Sequence, residues 1–130
     1  MADTEKITIN MNAVELGKID LLVEEGHYSN RTDFIRTAIR SQLEKHAADV
    51  QQSVARNSYT VGALIYNHVD FEKLKARGEK LKIRMIGMLV ISGDTPAELV
   101  DDVVESIHIY GIFQTSDAVK AALMKSGKLK

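Results

Sequence analysis

The sequence predicts an α+β protein in two parts: a strand–helix–turn–helix unit at the N-terminus, then a small β-α-β-α-β-α module. Three observations predict it. Lys6-Ile7-Thr8-Ile9-Asn10-Met11 alternates polar with apolar, the period of a half-buried strand. Two apolar runs at helical spacing follow it, each opened by an asparagine. Three glycine-led apolar runs then recur, at Gly62, Gly87 and Gly111.

The elements can be justified in order. In the first strand Ile7, Ile9 and Met11 share one face and Lys6, Thr8 and Asn10 the other. Asn12 with Glu15 three residues on makes a capping-box-like start, the Asn oxygen taking a free backbone N–H. Leu16, Ile19, Leu22 and Val23 continue at helical spacing, and Gly26 sits where a C-terminal cap belongs. Asn30 with Asp33 opens a second helix, whose apolar stripe is Phe34, Ile35, Ala38, Ile39 and Leu43. From His27 to Val61 there is no Gly and no Pro, and the stretch turns polar near residues 48–57. The domains expected are therefore 1–48, a helical connection over 49–57, and a module over 58–130.

Within that module, Gly62-Ala-Leu-Ile-Tyr-Asn67, Gly87-Met-Leu-Val-Ile-Ser92 and Gly111-Ile-Phe-Gln-Thr-Ser116 share one form and read as strands. Helix-like segments follow each. One runs from Asp70 to about Arg77, with Gly78 as its stop. Thr95-Pro96-Ala97-Glu98 offers Thr as cap, Pro at the first position and Glu at the third, with Leu99, Val100, Val103, Val104 and Ile107 spaced as a helix. Ser116-Asp117 opens the last, with Val119, Ala122 and Leu123.

Composition narrows the function. The 130 residues carry 17 Lys plus Arg and 18 Asp plus Glu, and 45% are apolar, as in soluble globular chains. There are no cysteines, which excludes disulfides, a thiol nucleophile and cysteine-ligated zinc. No apolar run is long enough for a membrane span, and the opening MADTEK has no apolar signal core, so a cytoplasmic address is expected. There is no glycine-rich phosphate loop, no HExxH and no Gly-x-Ser-x-Gly, so no enzyme, cofactor or metal is expected. The histidines fit structural roles: His27 in a turn, His46 late in a helix, His108 at a core edge; His68 with Asp70 is the one pair spaced to share a metal.

A lone six-residue strand leaves its ladder groups unpaired, and a unit of about 46 residues is marginal alone. Two copies solve both problems by pairing strands antiparallel and interlocking helices; the alternative is that the strand pairs within its own chain. A two-stranded ribbon fits the major groove of B-DNA. On it Lys can reach guanine, Asn can pair with adenine and Thr can touch a thymine methyl. The same alternation also fits a solvated sheet face. The free N–H groups at Asn30, Arg31 and Thr32, with the helix dipole, suit an anion, although every helix start needs capping.

These residues carry a resemblance. Lys6-Ile-Thr-Ile-Asn-Met11, followed by Gly26-His-Tyr-Ser-Asn-Arg-Thr-Asp-Phe-Ile-Arg-Thr-Ala-Ile-Arg40, resembles the ribbon–helix–helix (CopG-like) DNA-binding family over residues 5 to 45. The resemblance implies an intertwined homodimer on double-stranded DNA. Lys6, Thr8 and Asn10 would contact bases, and Ser29, Asn30 and Arg31 would contact phosphate. Ile7, Ile9, Met11, Leu16, Ile19, Phe34, Ile35, Ala38 and Ile39 would form the dimer core. The C-terminal part loosely resembles the regulatory domain of nickel-responsive ribbon–helix–helix repressors. It has no Cys and no His-x-His pair, and one strand is missing, so the metal ligands do not carry over.

The function expected is therefore a sequence-specific transcriptional repressor, its C-terminal module serving regulation or higher homo-oligomerisation, with no membrane partner and no effector named by the sequence. Two alternatives remain: an antitoxin that represses its own operon, and a dimeric scaffold that no longer binds DNA. Residues 1–46 hold six basic and eight acidic residues, short of the basic footprint of a DNA binder. The basic run from Lys73 to Arg84 and the acidic run from Asp94 to Glu105 read as solvated helix faces, or as sites of self-association or a second DNA contact.

Overall fold

Two asparagines set where the N-terminal helices begin. The structure, a computed structural model, describes residues 4–130; residues 1–3 of the expected first domain lie outside that range. Asn12 caps α1 (Ala13–Glu24), its side-chain oxygen accepting the Glu15 N–H at 2.8 Å. The helix ends in paired backbone bonds, from Gly26 N–H to Val23 O and from His27 N–H to Leu22 O. Gly26 stands at φ 87°, the left-handed turn this ending requires. Asn30 caps α2 (Arg31–Lys45) through the Asp33 N–H at 2.8 Å. His46 closes α2, and α3 (Ala47–Asn57) follows directly.

The chain divides into two compact units, one Lys6–Ser53 and the other containing Val54–Lys130. In the first, Tyr28 meets Phe34 edge-on at 5.0 Å. Among its described residues only Ile19 is buried. Lys6–Met11 joins no β-ladder, so the alternating segment is not a strand within this chain. The physical reason is that alternation chooses a face but supplies no partner for the backbone groups. The intrachain alternative also has no support among the described residues, where the sheet contains only the three strands of the second unit.

Those strands are β1 (Thr60–Tyr66), β2 (Leu81–Ile91) and β3 (Val104–Gln114), all parallel in the order β1-β2-β3. They alternate with α4 (His68–Ala76), α5 (Ala97–Val103) and α6 (Asp117–Lys125). Phe71 from α4, Val100 and Val103 from α5, and Val119 and Leu123 from α6 bury one face of the sheet, against Ile83, Met85, Leu89, Ile91 and Ile107. All three helices thus share one core. Strand residues alternate between faces, so the opposite face carries Val61 and Ile65, Arg84, Ile86 and Met88, and His108, Tyr110 and Ile112. Its edge positions are open, with Val61 65%, Ile65 68% and Tyr110 53% exposed, while Ile86, Met88 and Ile112 are half-buried and Val90, in register with Ile65, is buried.

The three repeat glycines lie side by side, Gly62 in register with Gly87 and Gly87 with Gly111. Their φ angles are 138°, 138° and 130°. A Cβ built on Gly87 would stand 1.8 Å from the Gly62 carbonyl oxygen, and one on Gly111 2.0 Å from that of Gly87. The repeat is thus a close backbone approach across the whole sheet.

Three sequence expectations need correction. The helical spacing from Leu99 to Ile107 breaks at Val103, and Val104 and Ile107 belong to β3. The β-branched run favours the pleated strand, and Ile107 pairs with Ile83. Thr95 does not cap α5; it is buried, and its hydroxyl lies 2.9 Å from that of Ser92. Lys82 and Arg84 are not on a helix face, because β2 begins at Leu81, six residues before its glycine. Two other members of the basic run meet the acidic one within the chain: Lys75 Nζ lies 3.0 Å from Asp102 Oδ2, and Lys80 donates to the Asp102 carbonyl. The Lys75 hydrogen bond holds the Asp102 carboxyl below the usual range.

Gly87→Ala is expected to destabilise the C-terminal unit by about 3 kcal/mol or more, because backbone rather than a flexible side chain blocks the new methyl. Gly93→Ala, with open space and no positive φ, should be nearly silent. Urea unfolding of the two variants checks this.

Candidate nucleic-acid interface

Every side chain of the expected base-reading set is accessible. Lys6, Thr8 and Asn10 are exposed, and so are Ile7 at 79% and Ile9 at 64%. Met11 is half-buried where the segment enters α1. Leu16, Phe34 and Ile35 are half-buried, Ala38 and Ile39 are exposed, and Ile19 is buried. The apolar set that would close a dimer core thus lies largely open on this unit.

The second helix start is more occupied than its sequence suggests. Asp33 accepts the Ser29 N–H at 2.9 Å, while the Asn30 side chain is committed to the Asp33 N–H. Arg31 grips Asp20 bidentately: Nε lies 2.7 Å from Oδ1, and the second guanidinium nitrogen 2.8 Å from Oδ2. This hydrogen bond holds the Asp20 carboxyl below the usual aspartate range and pushes the Arg31 guanidinium up. Reasoning along the chain missed this pair, since its members come from two helices. Arg31 therefore has to exchange a carboxylate for a phosphate if it is to hold DNA.

Comparison with known proteins assigns a family. The chain belongs to the ribbon–helix–helix transcriptional regulator family, whose model it matches over residues 2–120. It is also 26% identical over 105 residues to a protein of Pyrococcus horikoshii described as "Putative nickel-responsive regulator". The match takes in 81% of this chain but 63% of that protein's length. No solved structure matches it. Among the described residues no helix is long and apolar enough to cross a membrane.

The residues here do not fit a nickel centre within one chain. Among the described residues no three His, Asp or Glu side chains converge. His68 Nδ1 lies 3.5 Å from Asp94 Oδ2, but Asp94 also accepts from the Ser92 hydroxyl at 2.6 Å, a bond that lowers its pKa. Asp70, the spacing partner of His68, closes a capping box with Asn67 instead.

The depressed Asp20 value has a pH consequence. The Arg31 pair stabilises the fold fully above the ordinary aspartate pKa of about 3.9, and that contribution is lost as pH falls through the lower native value. Wild type should therefore exceed Asp20→Asn in stability at neutral pH, with the gap closing in acid. Urea midpoints from pH 7 down to pH 2 check this.

Proposed function

We propose that this chain is a sequence-specific DNA-binding transcriptional repressor that works as a homodimer. Two copies of Lys6–Met11 pair antiparallel into a ribbon that enters the major groove of double-stranded DNA. Lys6, Thr8 and Asn10 read bases; Ser29, Asn30 and Arg31 hold flanking phosphates. The observation that carries this reading is the exposure of Ile7 and Ile9 beside two well-capped helices. Apolar side chains alternating on one edge, with no ladder partner among the described residues, are suited to a second copy. Membership of a transcriptional regulator family supports the DNA target.

In this reading residues 1–48 form the DNA-binding and dimerisation domain, 49–57 connect, and 58–130 form a regulatory and oligomerising module. The protein is cytoplasmic and regulatory rather than catalytic. The open sheet face joins dimers through a second copy of the same module, a self-complementary two-fold contact. Val61, Ile65, Ile86, Met88 and Ile112 supply its apolar surface. An antiparallel overlap about the Met88 row places the Arg84 ends of the two faces far apart, which keeps like charges from meeting.

Fluorescence anisotropy with DNA from upstream of the protein's own coding region tests the first part. Asn10→Ala is expected to weaken specific binding by about 1–3 kcal/mol, while sedimentation still finds a dimer. Unchanged DNA behaviour in the variant would instead favour the scaffold reading, and co-purification with a toxin the antitoxin one. Ile65→Glu places a charge on the open face and should reduce the assembly to a dimer without affecting operator binding. Sedimentation velocity reads that directly; a wild type no larger than a dimer sinks the face contact.

A further inference from the structure

Lys75 and Lys128 on the helix side each have a carboxylate, from Asp102 and Asp101. Lys82 and Arg84, on the open face, have none within ion-pair distance among the described residues. Arg84 is half-buried, a position where an unneutralised charge raises the cost of lost hydration. Its guanidinium stacks over Tyr59, 5.4 Å from the ring centroid, which offsets part of that cost.

The surroundings of these two cations are concave. One groove of about 300 Å³ is lined by Lys82, Arg84, Ser106, His108 and Lys130. A second, of about 370 Å³, is lined by Ser58, Thr60, Lys82 and Arg84. The grooves lie on either side of β2 and share its two cations. Register places Lys82 beside Ser106 and Arg84 beside His108, so donors from two strands are presented together. Tyr59, His108 and Tyr110 meet at 4.9 to 5.9 Å between ring centroids, an aromatic wall beside the charged row.

We propose that Lys82, Arg84, Ser106 and His108 form a binding site for a small metabolite bearing an oxyanion, a phosphate or a carboxylate. The Arg84 fork meets two oxygens of the anion, Lys82 adds charge, and the Ser106 hydroxyl and His108 ring add hydrogen bonds. Of the three rings, His108 lines the groove and borders the uncharged remainder of the ligand. The groove volume suits a small molecule. This site stands on the C-terminal unit alone, so it and the DNA reading can fail independently.

The test is an amide NMR titration of the full chain with sodium phosphate, with sodium citrate, and with sodium chloride at matched ionic strength. Saturable shifts centred on Lys82, Arg84, Ser106 and His108 are expected with at least one oxyanion and not with chloride. Saturation by phosphate alone assigns a phosphate ligand, and by citrate alone a carboxylate one. Arg84→Gln and Lys82→Gln should each weaken that binding at least tenfold, while Lys75→Gln leaves it unchanged. If Arg84→Gln loses the dispersion of a folded spectrum, Lys82→Gln, at an exposed position, carries the test. Chloride reproducing the shifts, or no saturable shift with either oxyanion, overturns the proposal. So does a loss confined to DNA affinity in the two variants, which would assign the groove to nucleic acid.

Discussion

Three parallel strands laid down in chain order leave their connecting helices one face of the sheet. Each crossover returns to the next strand with the same hand, so a sheet that never reverses direction stacks every helix on one side. The rest of the C-terminal unit depends on this constraint. It gathers Phe71, Val100, Val103, Val119 and Leu123 into one core and leaves Val61 and Ile65 exposed, with Ile86 and Ile112 half-buried, on the opposite face. The glycine row sets the middle of that sheet, where backbone approaches backbone too closely for a side chain.

The N-terminal unit has a similar incompleteness for a different reason. Its helices are well started and well stopped, by Asn12, Gly26 and Asn30, so local backbone groups are satisfied. Its apolar residues are not: a short segment and two helices bury only Ile19 among the described residues. Each unit, taken alone, offers apolar surface that the chain does not cover.

Charge is distributed with the same selectivity. Asp20 and Asp102 neutralise Arg31 and Lys75, which lie on helices. The strand cations Lys82 and Arg84 have no such partner and sit beside the rings of Tyr59, His108 and Tyr110. Within the chain the basic run and the acidic run are joined at Asp102, whose carboxylate pairs with Lys75 and whose carbonyl accepts from Lys80.

The sequence by itself determined what local chemistry controls. The asparagine caps, the Gly26 stop, the glycine-led strands and the Ser116 start of α6 were all legible, because each depends on residues within a few positions. The family resemblance was legible for the same reason, as an ordered set of local signals. Tertiary structure decided the rest. Whether Val104 and Ile107 extend a helix or begin a strand turns on pairing with β2, which spacing along the chain does not contain. The alternation Leu81-Lys82-Ile83-Arg84-Met85 carried a strand signal, but the charge run masked it. The Arg31–Asp20 pair and the Arg84–His108 row join residues from separate elements. Only the folded chain brings them together, because contacts between elements are chosen by packing rather than by sequence neighbourhood.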